Sequence, residues 1–347
     1  MQSKKRIFIC LLLAIFLVFS IVGCGPKKVD VIELSATTLF PAGHGSTTQG
    51  LQAWADLVDE YTDGRVKVTV YPGGTLLGAG TVLEGVTVGA ADVGLDPTSY
   101  TPGRLPLLTA FQLGGIQAKS GKVYSYAGWD IIKNELVELD ELKNVKVLFF
   151  YAISPGHLHT TDKPIRTLED VKGMEIRTAA VATINKLGAT AVAMPMNEAY
   201  EALERGIVDA MLGPSEALEG WRLAEVTNYT TFTPFLYSDL HLVSMNLDKW
   251  NSLPSDIQQA IDKASEEAFR NTAVLWDEID ESGIKFAVEQ TGQELIELSA
   301  AEKERWLKVL EPMHDEWIKD MESKGLPGRQ MLETLIELVD KYNAEFH

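Results

Sequence analysis

The chain has 347 residues, with 31 Lys and Arg against 49 Asp and Glu, giving a formal net charge of −18 at pH 7. That acid surplus argues against a nucleic-acid partner, which would need a basic footprint. Only two cysteines occur, so a disulfide framework is excluded and the fold must rest on a hydrophobic core.

The first two dozen residues carry an export signal. Lys4, Lys5 and Arg6 precede an apolar run from Ile7 to Val22, followed by Gly23 and Cys24. The run is shorter than the roughly 20 residues of a bilayer span, so it reads as a signal peptide. Ile21-Val22-Gly23-Cys24 resembles a bacterial lipobox, which predicts lipidation of Cys24 and an exported chain held at a membrane by its lipid. Cys10 lies in the segment removed. Residues 1–23 hold three basic residues and no acids, so cleavage takes the net charge from −18 to −21 and leaves 324 residues, enough for two α/β domains.

Strand and helix patterns then alternate, predicting a parallel α/β architecture. Val31 to Ser35 reads as a strand. Leu51, Trp54, Ala55, Val58 and Tyr61 make a helical stripe, and Val66, Val68 and Val70 alternate as a second strand. A helix is expected near 80–88, a strand at 92–95, a helix near 123–139 and a strand at 145–151. A second unit opens around Ser154, with strands at 174–177, 189–194 and 210–212, and Asn197 as a helix N-cap. The stretch 240–246 reads as a strand returning to the first domain. The tail is helical, from Pro254 to about Val288 and then from Ser299 to Glu322. That second helix opens on the capping-box spacing Ser299-Ala300-Ala301-Glu302, and Trp306, Leu310, Met313, Trp317 and Met321 form its core face.

Several motifs are similar to the substrate-binding proteins of tripartite ATP-independent periplasmic (TRAP) transporters of the DctP type. They include Phe40-Pro41-Ala42-Gly43-His44, Tyr71-Pro72-Gly73-Gly74, Pro102-Gly103-Arg104-Leu105-Pro106 and the stretch Leu168 to Arg177. Met194 to Tyr200, Ala202 to Asp209 and Trp250-Asn251-Ser252-Leu253-Pro254 extend the match over most of the mature chain. The resemblance implies a two-domain periplasmic-binding-protein fold of type II-like α/β form, with a hinge, a long domain-spanning helix and C-terminal helices. The expected division is 1–23 signal peptide, 24–30 lipidated tether, 31–151 with 240–275 as domain I, and 152–239 with 276–347 as domain II. It also implies capture of a small organic acid for a TRAP permease; with no metal-ligand or catalytic motif and no heptad run in the sequence, no cofactor or metal, no catalysis and a monomeric state are expected.

Arg177 matches the family position whose arginine pairs with the ligand carboxylate. Independently, it follows apolar strand residues and so stands at the carboxyl end of a strand, where open α/β sheets bind ligands. Its planar fork suits a carboxylate. His157 stands where some acid-sugar binders carry a second arginine, and Gly213 lacks the side-chain amide usual at its position. Fewer polar hooks, with Tyr100, Met196 and Trp221 as walls, predict a less hydroxylated, aromatic or keto acid. His44, Thr98, Ser215, Glu216 and Asp239 complete the candidate ligand-binding set. His157 and His159 have strand spacing for one face, but no third ligand stands near, so zinc is not expected. The competing readings are a receptor for another transporter or a sensor kinase, and an exported enzyme, for which no nucleophile and base motif is found.

Overall fold

Residues 93–97 and 240–246, buried at every position, make the centre of the first sheet. The computed structural model describes residues 31–134, 137 and 139–346, so the signal peptide, the tether and Cys24 lie outside the described residues. In chain order the first elements are β1 (Ile32–Thr38), α1 (Ala53–Tyr61), β2 (Val66–Tyr71), α2 (Val82–Thr87), β3 (Val93–Pro97), α3 (Gly121–Lys133) and β4 (Val145–Ala152). Then come β5 (His157–Thr160), β6 (Glu175–Arg177), α4 (Val181–Lys186), β7 (Thr190–Val192), α5 (Met196–Glu204), β8 (Ala210–Gly213), α6 (Glu216–Gly220) and β9 (Tyr229–Phe232). The chain continues through β10 (Leu240–Asn246), α7 (Leu247–Ser252), α8 (Ser255–Phe286), β11 (Glu294–Glu297), α9 (Ala300–Leu310), α10 (Pro312–Ser323) and α11 (Gly328–Glu345).

Two sheets result, one of five strands ordered β2-β1-β3-β10-β4 and one of six ordered β11-β9-β5-β8-β6-β7. β10 lies between β3 and β4 and runs antiparallel to both, with His241 opposite Pro97 and Tyr151. In the second sheet β6 is parallel to β7 and β8, while β5 is antiparallel to β8 and β9. The sheets are therefore mixed, where alternation alone predicts parallel ones. Short strands such as β5 and β9 carry too few residues to show a pattern in sequence. Among the described residues no helix is long and apolar enough to cross a membrane.

Helix α8 has 32 residues, about 48 Å at 1.5 Å per residue, and agrees with the expected 254–288. Ile257, Ile261, Ala264, Ala268, Ala273 and Trp276 form its buried stripe, and it packs on β4, α1, α3 and α6. Two turns near its end touch both sheets' elements. The Asp277 carboxylate accepts the Gly121 and Lys122 N–H groups at 2.7 and 3.1 Å, capping α3. Asp280 accepts the Glu216 N–H at 3.1 Å, and Gly283 lies against Ser215.

Other sequence expectations need correction. Pro312 splits the expected helix 299–322 into α9 and α10, because a proline ring supplies no N–H and is tolerated only in a first turn. Only half of the capping box forms. Ser299 Oγ accepts the Glu302 N–H at 3.2 Å, but the Glu302 carboxylate turns to the Leu168 N–H at 3.0 Å. Asn197 lies inside α5, after Pro195, and caps nothing. The final helix α11 has no counterpart in the sequence reading. It packs against α3, where the Tyr342 hydroxyl donates to Asp130 at 2.6 Å.

Candidate ligand site

The carboxyl ends of β3, β6 and β8 and the start of β10 meet at one narrow cavity. Arg177 closes β6 and is 5% exposed. Its Nε and Nη2 donate to the Met194 carbonyl at 3.1 and 2.9 Å, and Nη2 also reaches the Tyr100 hydroxyl oxygen at 3.4 Å. Among the described residues Nη1 makes no hydrogen bond and no carboxylate pairs with the guanidinium. A buried, unpaired cation is costly unless an anion joins it.

Tyr100, in the turn after β3, supplies the matching donor. Its oxygen accepts from Arg177 and from the Met196 N–H at 2.9 Å, which leaves the hydroxyl hydrogen to point elsewhere. Burial raises its pKa, so the phenol keeps that hydrogen at neutral pH. Arg177 Nη1 and the Tyr100 O–H thus form a pair of donors of the kind a carboxylate accepts.

Two acids are buried nearby. Asp239 accepts from Thr98 Oγ1 and the Leu240 N–H, both at 2.9 Å, and from Ser99 Oγ. Burial nevertheless pushes its carboxyl up to about 6. Asp96 has no well-formed hydrogen bond on either oxygen among the described residues, and burial, against a weak backbone contact from Leu83 and with the Asp239 charge adding, pushes it up to about 8. A carboxyl with a raised folded-state pKa holds a proton that the unfolded chain has released. Stability therefore falls as pH rises from the ordinary value of 3.8 to about 8. Asp96→Asn removes that slope, so its gain in melting temperature is expected to be larger at pH 8 than at pH 5. Equal gains at the two pH values in a thermal melt would refute the assignment.

Aromatic rings make up another part of the cavity wall. Phe40 lies 5.2 Å from the His241 ring and 6.1 Å from Trp221, and His241 meets Trp276 edge-on at 5.2 Å. Behind them the His44 Nδ1 accepts the Ser46 N–H at 3.0 Å, which leaves the ring proton on Nε2, 2.8 Å from Glu216 Oε1. His44 follows β1 and Glu216 opens α6, so this contact ties elements of the two sheets together.

Six candidates from the sequence, Tyr100, Arg177, Met196, Glu216, Trp221 and Asp239, line this one cavity. Thr98 and His44 stand behind it, each holding an acid that does line it. Gly213 and Ser215 flank the lining residue Pro214 without lining the cavity themselves. His157 belongs elsewhere: its Nδ1 accepts the Thr233 N–H at 3.1 Å, its ring meets Phe232 edge-on, and it borders a separate hollow with Lys122 and Asp277. Burial holds its pKa down to about 3, so it offers no charge to an anion. Sequence reasoning missed Ser99, Tyr237, His241 and Trp276. Trp276 was hidden in the apolar stripe of α8, and His241 in a strand whose every residue is buried. A roomier hollow of about 960 Å³ by Trp129 and Trp250 is a weaker candidate, because its lysines already pair with Glu266, Asp140 and Asp262.

The family model described as bacterial extracellular solute-binding protein, family 7, matches residues 41–320. The chain belongs to this family. The receptor is 27% identical over 274 residues to the C4-dicarboxylate-binding periplasmic protein DctP of Rhodobacter capsulatus, across 77% of this chain and 81% of that protein. A marine-metagenome TRAP solute binding protein specific for aromatic acid ligands, in complex with metahydroxyphenylacetate, matches at TM-score 0.84 and 29% identity. That match covers 90% of this chain and 99% of the other. A TRAP solute binding protein from Rhodoferax ferrireducens with copurified benzoate also gives 0.84, at 25% identity, over 91% and 99%. The receptor is thus a solute-binding protein of the TRAP type, on the two-sheet α/β fold of that group, from a family of periplasmic receptors.

Proposed function

We propose that the receptor captures a small monocarboxylate with an aromatic or keto-acid body and hands it to a TRAP permease. The observation that carries this reading is Arg177, a buried guanidinium with an unpaired Nη1 beside the free hydroxyl hydrogen of Tyr100. The rings of Phe40, Trp221 and Trp276 favour a flat apolar body over a polyhydroxylated one. The aromatic acids held by the two similar structures support the same class. The cavity has a volume of about 50 Å³, room for a few waters and well short of the roughly 300 Å³ of a small-molecule site. In this reading the loops of the two sheets part to admit a solute and close again.

Export on a lipid attached to Cys24, and action as a monomer, belong to the same proposal. Native mass spectrometry of the protein purified from its membrane fraction tests all of it. The expected spectrum shows one copy of the chain, a diacylglyceryl adduct on the peptide that begins at Cys24, and a co-purified acid. A parallel thermal-shift screen is expected to show stabilisation by benzoate, phenylacetate or aromatic keto acids. Stabilisation by sugar acids or C4-dicarboxylates alone would overturn the ligand class.

A further inference from the structure

His241 is the one histidine that lines the Arg177 cavity, and it is 4% exposed. Its side chain makes no hydrogen bond among the described residues, and its Nδ1 is sealed from solvent without a partner. The ring is held by carbon contacts alone, with Phe40, Tyr151 and Trp276 each 5.2 Å away. A buried polar group left in this state is destabilising unless something else completes it.

Burial, with His44 adding, pushes the His241 pKa down to about 3, so the imidazole is neutral and carries one donor and one acceptor. A hydroxyl group suits either ring nitrogen, donating to the bare one or accepting from the protonated one. A second carboxylate is disfavoured: among the described residues lining this cavity Arg177 is the one guanidinium or ammonium, while Glu216 and Asp239 are acids. The surroundings of Arg177 and His241 differ. Arg177 is bonded to Tyr100 and Met194, whereas the His241 ring sits among Phe40, Tyr151 and Trp276.

We propose that His241 sets specificity by hydrogen-bonding a hydroxyl at the end of the ligand opposite its carboxylate, selecting hydroxyaromatic monocarboxylates over unsubstituted and dicarboxylic ones. This inference rests on the carboxylate reading of the Arg177 end and deepens it. Isothermal titration of the full mature receptor with benzoate, 3-hydroxybenzoate, 4-hydroxybenzoate and isophthalate tests it. One hydroxybenzoate is expected to bind about tenfold tighter than benzoate, the size of one buried hydrogen bond, and isophthalate more weakly than benzoate. His241→Phe keeps the ring and removes both nitrogens, so the ratio of hydroxybenzoate to benzoate affinity, both measured on the variant, should shrink to within about threefold. His241→Gln, which restores a donor and an acceptor, should recover most of it and serves if the Phe variant does not fold. Equal binding of benzoate and both hydroxybenzoates, or a preference that survives His241→Phe, overturns the role of His241 and leaves the carboxylate reading standing. Binding of none of the four acids overturns both.

Discussion

Arg177→Ala is expected to abolish measurable binding of every carboxylate while the protein still melts cooperatively at an unreduced temperature. At an effective dielectric near 20 a contact ion pair is worth roughly 4 kcal/mol, so the loss should reach about a hundredfold or more after desolvation is counted. Stability should respond in the opposite sense. The guanidinium has no acid partner among the described residues and is almost wholly buried, so its removal relieves a desolvation cost that the Met194 and Tyr100 hydrogen bonds offset only in part. Titration calorimetry and a thermal melt of the same preparation separate the two effects. An affinity within threefold of the parent protein would move the anchor away from Arg177.

The second large effect is expected at a residue that touches no ligand. A β-carbon on Gly283 would stand 2.1 Å from the Ser215 carbonyl oxygen and 3.0 Å from Glu216 Cα. Both neighbours are backbone, so neither can rotate aside. Helix propensity alone favours alanine over glycine in a helix by about 1 kcal/mol, but overpacking against backbone costs about 1–3 kcal/mol or more and wins. Gly283→Ala should therefore lower the melting temperature by several degrees. It should also weaken ligand binding, because α6 must shift and carries Glu216 with it. An unchanged melting temperature would show that α6 yields freely.

The first sheet and the long helix were legible in sequence because their signals are local. Valines at 66, 68 and 70 alternate, and the stripe from Ile257 to Trp276 repeats every three or four residues. The place of Arg177 at the end of β6 was legible for a similar reason, as a charge that ends an apolar strand. His157 was not, since which way a strand residue faces depends on pairing partners distant in sequence. On β5 its ring is taken up by the Thr233 N–H and the Phe232 ring. The same cause hid His241, whose neighbours Pro97 and Tyr151 become visible only once β10 is placed between β3 and β4. The Glu302 carboxylate left its expected capping role for a partner 134 residues away, a tertiary competitor that spacing does not encode. Pro312 could have been weighed more heavily, because its effect on a helix is local and known in advance.

The two turns of α8 from Trp276 to Gly283 give this molecule a remote control. Trp276 forms part of the cavity wall, Asp277 grips the start of α3, and Asp280 and Gly283 grip the start of α6. A single rod thus sets the spacing between the wall that carries His241 and the helix that carries Glu216. Solute preference in such a receptor can drift over generations through substitutions on the outer face of that rod, with every residue that touches the solute left unchanged.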